Sequence, residues 1–154
     1  AAWAKPDAKN KFQKKYPIAQ NAVQLQQGTV MDLYPTILSV AHVKPPKHYA
    51  LDGADLKKLF QGKEDKKHRD DFLMHFPHGE HRANYFTTYR KGDWKLIYYY
   101  HPETTGIPTW KLYNLKDDPY EKTEVSAEYP EKTASMLEQM KDRLKEENAL
   151  YPEE

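Results

Sequence analysis

Between Gly62 and Asp71 runs a charged stretch, GKEDKKHRDD, and across it the hydrophobic pattern changes period, from helical spacing to simple alternation. Downstream, DFLMHF, NYFTTYR, DWKLIYYY and WKLYNL are short, rich in aromatic and aliphatic residues, and separated by polar connections, which predicts four strands. In the third, Trp94, Leu96, Tyr98 and Tyr100 share one face, while Lys95, Ile97 and Tyr99 take the other. Arg90-Lys91-Gly92-Asp93 is a short hairpin connection with glycine where a positive φ is needed. Strands joined this closely predict an antiparallel meander. One face of such a sheet needs a cover, and the segment from Pro130 to Asn148 provides it: Pro130 opens a helix on which Ala134, Leu137, Met140 and Leu144, with Met136, form an apolar stripe. The predicted class is α+β, a four-stranded antiparallel sheet packed by a C-terminal amphipathic helix.

Upstream the apolar material is thin. In TVMDLYPTILSVAHV, Asp32 can cap a helix whose first turn tolerates Pro35, and Leu33, Ile37, Val40 and Ala41 fall near one face until Lys44-Pro45-Pro46 ends it. DGADLKKLFQG repeats the pattern in miniature, with Asp52 or Asp55 near its start, Leu56, Leu59 and Phe60 on one face, and Gly62 as the stop. These two short helices offer too little apolar surface for a core of their own. The Lys-rich opening, AAWAKPDAKNKFQKKYP, shows neither period and is expected to be a solvated basic loop. The charged stretch itself reads as a linker or surface loop.

Charge excludes some partners. Twenty-four Lys and Arg against twenty-three Asp and Glu leave a formal +1, so no global field draws the chain to nucleic acid or to an anionic membrane, although aromatic strands can stack bases. No apolar run approaches the roughly 20 residues of a membrane helix. Zero Cys removes disulfides and thiolate metal ligands. The apolar fraction leans on twelve Tyr, amphipathic residues that favour half-buried faces and interfaces.

The segment HFPHGEHR concentrates titratable nitrogen: His75, His78 and His81 recur at every third position, with Arg82 next. Pro77 and Gly79 make a helix through them improbable, so the spacing does not put them on one helical face. Three readings stay open from the residues alone. A metal site would want a further carboxylate, and only Glu80 stands near. A plain polar loop needs no explanation. An anion pocket would use N–H donors from imidazolium and guanidinium, whose charge-assisted hydrogen bonds to oxyanions are strong.

VMDLYPTIL, LDGADLKKLFQG, YRKGDWKLI and KLYNLKDDPYE, taken in order, resemble the C-terminal part of the formylglycine-dependent (type I) sulfatases, whose pattern runs approximately vDlyPTll, DGxSLxxxlxG, xiRxGdWKLi and eLYnLxxDPxE before a final amphipathic helix. HFPHGEHR falls where several bacterial polysaccharide sulfatases carry an HxPH-type segment. The resemblance covers Thr29 onward. It implies that residues 1–67 are the distal tail of a large alkaline-phosphatase-like α/β domain and 68–154 the C-terminal subdomain. The chain has no CxPSR or SxPSR nucleophile segment and no paired acidic residues in the family's N-terminal surroundings. Calcium and formylglycine are therefore expected in a missing N-terminal catalytic domain, the partner of this piece, which alone is expected to be inactive. For the complete enzyme the resemblance implies hydrolysis of sulfate esters, on a sulfated saccharide, in the periplasm or outside the cell. His75, His78, His81 and Arg82 are the candidate substrate-binding residues, at the mouth of the pocket. Asp32 and Asp52, although at motif positions, are assigned to capping and turn formation rather than to calcium, and Glu121 to tying its turn to the sheet. Glu124 stands where relatives often have Asn. An independent carbohydrate-binding or anion-binding module without catalysis remains the alternative.

Overall fold

The computed structural model describes Lys9 and residues 11–78 and 85–152. It divides into two units, residues 1–70 and 71–154.

In the first unit, α1 (Lys11–Lys15), a 3-10 turn (Val30–Asp32), α2 (Leu33–Ala41) and α3 (Lys57–Phe60) are joined by long irregular segments. The basic opening is thus not wholly a loop. Its Lys and Gln are good helix formers, and one turn of helix leads into buried Tyr16, whose hydroxyl donates to Asp55 Oδ1 at 2.6 Å. Asp55 Oδ1 also accepts the backbone N–H of Lys57 at the start of α3. Gly62 ends that helix at a φ of 71°. Tyr16, Leu56 and Leu59 are buried, whereas Leu33, Ile37 and Val40 of α2 are 49%, 63% and 40% exposed. The apolar face that the sequence predicts on α2 forms, and most of it lies open. His68, in the middle of the charged stretch, is buried as well, its ring held by Gln27 O at 2.9 Å from Nε2. The stretch is therefore not a plain surface loop.

The second unit is the meander. Strands β1 (Asp71–Phe76), β2 (Phe86–Lys91), β3 (Trp94–Tyr99) and β4 (Trp110–Asn114) lie in sequence order, each antiparallel to the next. Gly92 turns β2 into β3 at a φ of 55°. Pairing Leu73 with Tyr89, Tyr89 with Leu96 and Leu96 with Leu112 aligns one apolar row across all four strands. Onto this row packs α5 (Pro130–Glu146), and Tyr89, Leu96, Leu112, Met136, Met140 and Leu144 close into a core at most 2% exposed. Fully burying an aliphatic side chain contributes about 1.5–3 kcal/mol, so the row and stripe together hold helix to sheet. The stripe differs from expectation at one position: Ala134 is exposed and Thr133 is buried in its place. Thr133 can be buried because its hydroxyl donates to Tyr129 O at 2.9 Å, and 133, 136, 140 and 144 make a straighter row than one through 134. A helical turn, α4 (Pro102–Thr105), sits between β3 and β4.

Candidate functional site

His75 lies near the end of β1 and, by its pairing with Thr87, on the helix-covered face of the sheet. Both of its ring nitrogens are engaged. Nε2 is 2.6 Å from Leu150 O, and because a carbonyl only accepts, Nε2 carries the hydrogen. Nδ1 is 2.7 Å from Thr87 Oγ1, which in turn is 2.6 Å from the Tyr100 hydroxyl. With a neutral imidazole the chain runs one way: Tyr100 donates to Thr87, Thr87 to Nδ1, and Nε2–H to Leu150. The ring stands edge-on to Tyr100 and to Tyr151, at centroid distances of 5.8 and 6.1 Å. Burial above all, with help from Tyr151 and Tyr98, pushes the Tyr100 hydroxyl pKa up, so it stays a neutral donor.

His78 goes elsewhere. Beyond Pro77 its ring meets Phe76 edge-on at 6.0 Å, and Phe76 alternates with His75 to the opposite face of the sheet. His81 and Arg82 lie outside the described residues. The structure thus groups His75 with Thr87, Tyr100 and Tyr151 rather than with His78. The expectation of four convergent donors is revised for His75, whose two nitrogens already serve the fold. Thr87, Tyr100 and Tyr151 were not singled out from the sequence, although the YYY run of β3 and the Tyr-rich composition were the available signal.

The motif acids are structural. Asp32 is fully buried, its Oδ2 accepting the Thr29 N–H at 2.7 Å and the Thr29 hydroxyl at 3.0 Å, its Oδ1 the Ala54 N–H at 2.8 Å. Burial alone would raise its pKa, but these bonds, helped by His68, outweigh it and hold the carboxyl below its ordinary value. A carboxylate ringed by N–H donors does not suit calcium, which wants oxygen ligands. Among the described residues no group of three or more His, Asp or Glu could hold a metal ion. The described residues therefore do not fit the calcium site. At Gly53 of the DGADL turn, an added Cβ would collide with Met31 O, so only glycine fits. Glu121, at a φ of 56°, binds Lys95 Nζ on β3 at 2.6 Å, and Glu124 accepts the Leu112 and Ser126 N–H groups at 3.0 and 2.7 Å. Both tie the DDPYE turn to β3 and β4.

A helix-capped antiparallel meander that follows a DGADL turn and ends on the hydrogen-bonded acids of a DPxE loop defines the C-terminal region of a sulfatase. The chain belongs to the family described as N-sulphoglucosamine sulphohydrolase, C-terminal, which matches residues 6–149. It is 32% identical over 138 residues to an uncharacterized sulfatase of Schizosaccharomyces pombe, covering 80% of this chain and 23% of that protein. It is likewise 32% identical over 146 residues to a sulfatase of Formosa agariphila, covering 85% and 25%. Among solved structures it is similar to BT4656 in complex with its substrate D-glucosamine-2-N,6-O-disulfate, at 29% identity and a TM-score of 0.58, over 74% of this chain and 23% of that one. A putative sulfatase from Bacteroides thetaiotaomicron shares the fold, at a TM-score of 0.60, 21% identity, 75% of this chain and 24% of that one. The chain spans about a quarter of the length of these two curated relatives.

Proposed function

We propose that this chain is the distal part of a sulfuric-ester hydrolase acting on a sulfated glycan, and that its 75–82 segment contributes to the mouth of the substrate pocket. The observation that carries the reading is the similarity, at 29% identity, to a protein solved with a disulfated glucosamine as its substrate. Residues up to about 67 then belong to the large domain, and 68–154 form the C-terminal subdomain. The open apolar face of α2 fits such a division, since Leu33, Ile37 and Val40 would find their cover in the rest of the large domain. Formylglycine and calcium would sit in that domain, so this chain alone releases no sulfate. No helix among the described residues is long and apolar enough to cross a membrane. Export to the periplasm or beyond suits a glycan substrate.

Within the segment, His78, His81 and Arg82 are the substrate-facing residues, offering N–H donors to sulfate or carboxylate oxygens. His75 anchors the segment to the sheet through Thr87 and Leu150. The test is made on the full-length protein carrying this chain, by measuring sulfate release from sulfated glucosamine oligosaccharides and from a small aryl sulfate. Single alanine substitutions at His78, His81 and Arg82 lower turnover of the oligosaccharide more than that of the aryl ester. Equal losses on both, or none on either, overturn the assignment, and a full-length protein that releases sulfate from neither overturns the function.

A further inference from the structure

Where the C-terminal end of α5 leaves the sheet, the second unit holds a cavity of about 760 Å³ on the helix-covered face. Its floor is the edge of the core, Met140 and Leu144, and its walls are aromatic. Tyr98 and Tyr100 stand perpendicular at 5.1 Å between centroids, and Tyr100 and Tyr151 at 5.9 Å. Tyr151 is placed there by His75, which holds the preceding carbonyl, Leu150 O. Lys141 and Lys145 line the same cavity one helical turn apart. Neither ammonium is paired with a described carboxylate, and like charges at i, i+4 repel each other along the helix face. Among the described residues, Asp142 is the lone carboxylate on the lining.

We propose that this cavity is an accessory binding site for a sulfated saccharide, on the sheet face opposite Phe76, against which the His78 ring packs. Tyrosine rings present electron-rich faces to the C–H face of a pyranose, and the neighbouring ammonium pair supplies charge complementarity to a sulfate. The same pair disfavours a cation in this aromatic setting. Apolar walls with a few convergent polar groups are the composition of saccharide-sized sites in general. The choice of a sulfated ligand rests on the function proposed above, whereas the site's location does not.

The test uses the full-length protein, with a sulfated heparin-type octasaccharide and its chemically desulfated counterpart as probes. Calorimetry on the wild type and on the Lys141→Ala/Lys145→Ala and Tyr151→Ala variants measures binding, while heteronuclear NMR follows the amides around Tyr98, Lys141 and Tyr151. These side chains are exposed, so the variants are expected to fold, and unchanged melting temperatures verify it. The expected result is a binding event for the sulfated probe that shifts those amides and weakens about tenfold in the double-lysine variant. Sulfated-glycan turnover together with unshifted amides, or with variants that bind as the wild type does, overturns the accessory site and leaves the proposed function standing. Equal binding of the desulfated probe overturns the sulfate assignment at this site. Absence of both binding and turnover of sulfated glycans overturns the two readings together.

Discussion

Leu96 and Leu112 are fully buried at the centre of the second unit, and the core there is shared between sheet and helix. Leu96→Ala is expected to cost about 2–5 kcal/mol, measured as a shift in urea midpoint with little change in slope. Thr87 plays a different part. Its hydroxyl is the middle member of the Tyr100–Thr87–His75 chain, so Thr87→Val keeps the shape and leaves Tyr100 and His75 only their own longer contact, 3.4 Å from hydroxyl to Nδ1. The expected loss is about 1–3 kcal/mol, read from the same denaturation experiment. An unchanged midpoint would mean that water or the direct Tyr100–His75 contact replaces the hydroxyl. His75 shows why a residue's role was not legible from its neighbours in sequence. Its partners lie 12, 25 and 75 positions away, and no spacing rule connects them.

The elements themselves were largely legible, because each is written in a local pattern. Alternation marks the strands, Pro130 marks the start of α5, and Gly92 marks the turn between β2 and β3. Gly92 sits at a φ of 55° with nothing within 4 Å of where a Cβ would stand, so Gly92→Ala carries backbone strain without a clash. A cost of about 1–2 kcal/mol is expected from thermal unfolding. Gly53→Ala should be worse, because there the new Cβ meets backbone oxygen that cannot swing aside. Local pattern was less informative where an element depends on contacts far along the chain. The single turn of α1 and the buried His68 lie in stretches rich in charge, and what orders them is Asp55 beneath Tyr16 and Gln27 O at the His68 ring. At α5 the apolar alphabet pointed to Ala134, while the helix buries Thr133, whose hydroxyl is satisfied by its own backbone.

At the scale of the whole chain, the two units differ in how their apolar surface is covered. The second has a closed core, whereas the first leaves Leu33, Ile37 and Val40 of α2 open. The chain on its own is therefore expected to bind a fluorescent apolar dye, and Ile37→Ser to reduce that signal without lowering the unfolding midpoint. A lowered midpoint would show that Ile37 is packed after all. Acid stability follows from Asp32. Its carboxyl titrates below the ordinary value of 3.8, so it stabilises the fold above that pH, and the contribution fades as pH falls toward its folded value. Asp32→Asn should flatten the pH dependence of stability below about pH 4, measured by urea unfolding across the acid range.

By itself the sequence determined the α+β class, the meander order, the covering helix and the sulfatase motifs, because all of these are carried by residue types at short, fixed spacings. Only the tertiary structure decided that His75 and His78 part company, since consecutive positions of a strand face opposite ways and Pro77 redirects the chain after it. The same holds for the tyrosine cavity. Tyr98 and Tyr100 alternate onto the helix side of β3, but Tyr151 joins them only because a carbonyl 75 residues from His75 falls within hydrogen-bonding distance of its ring. Periodicity determines which face a residue takes, and packing determines what that face meets.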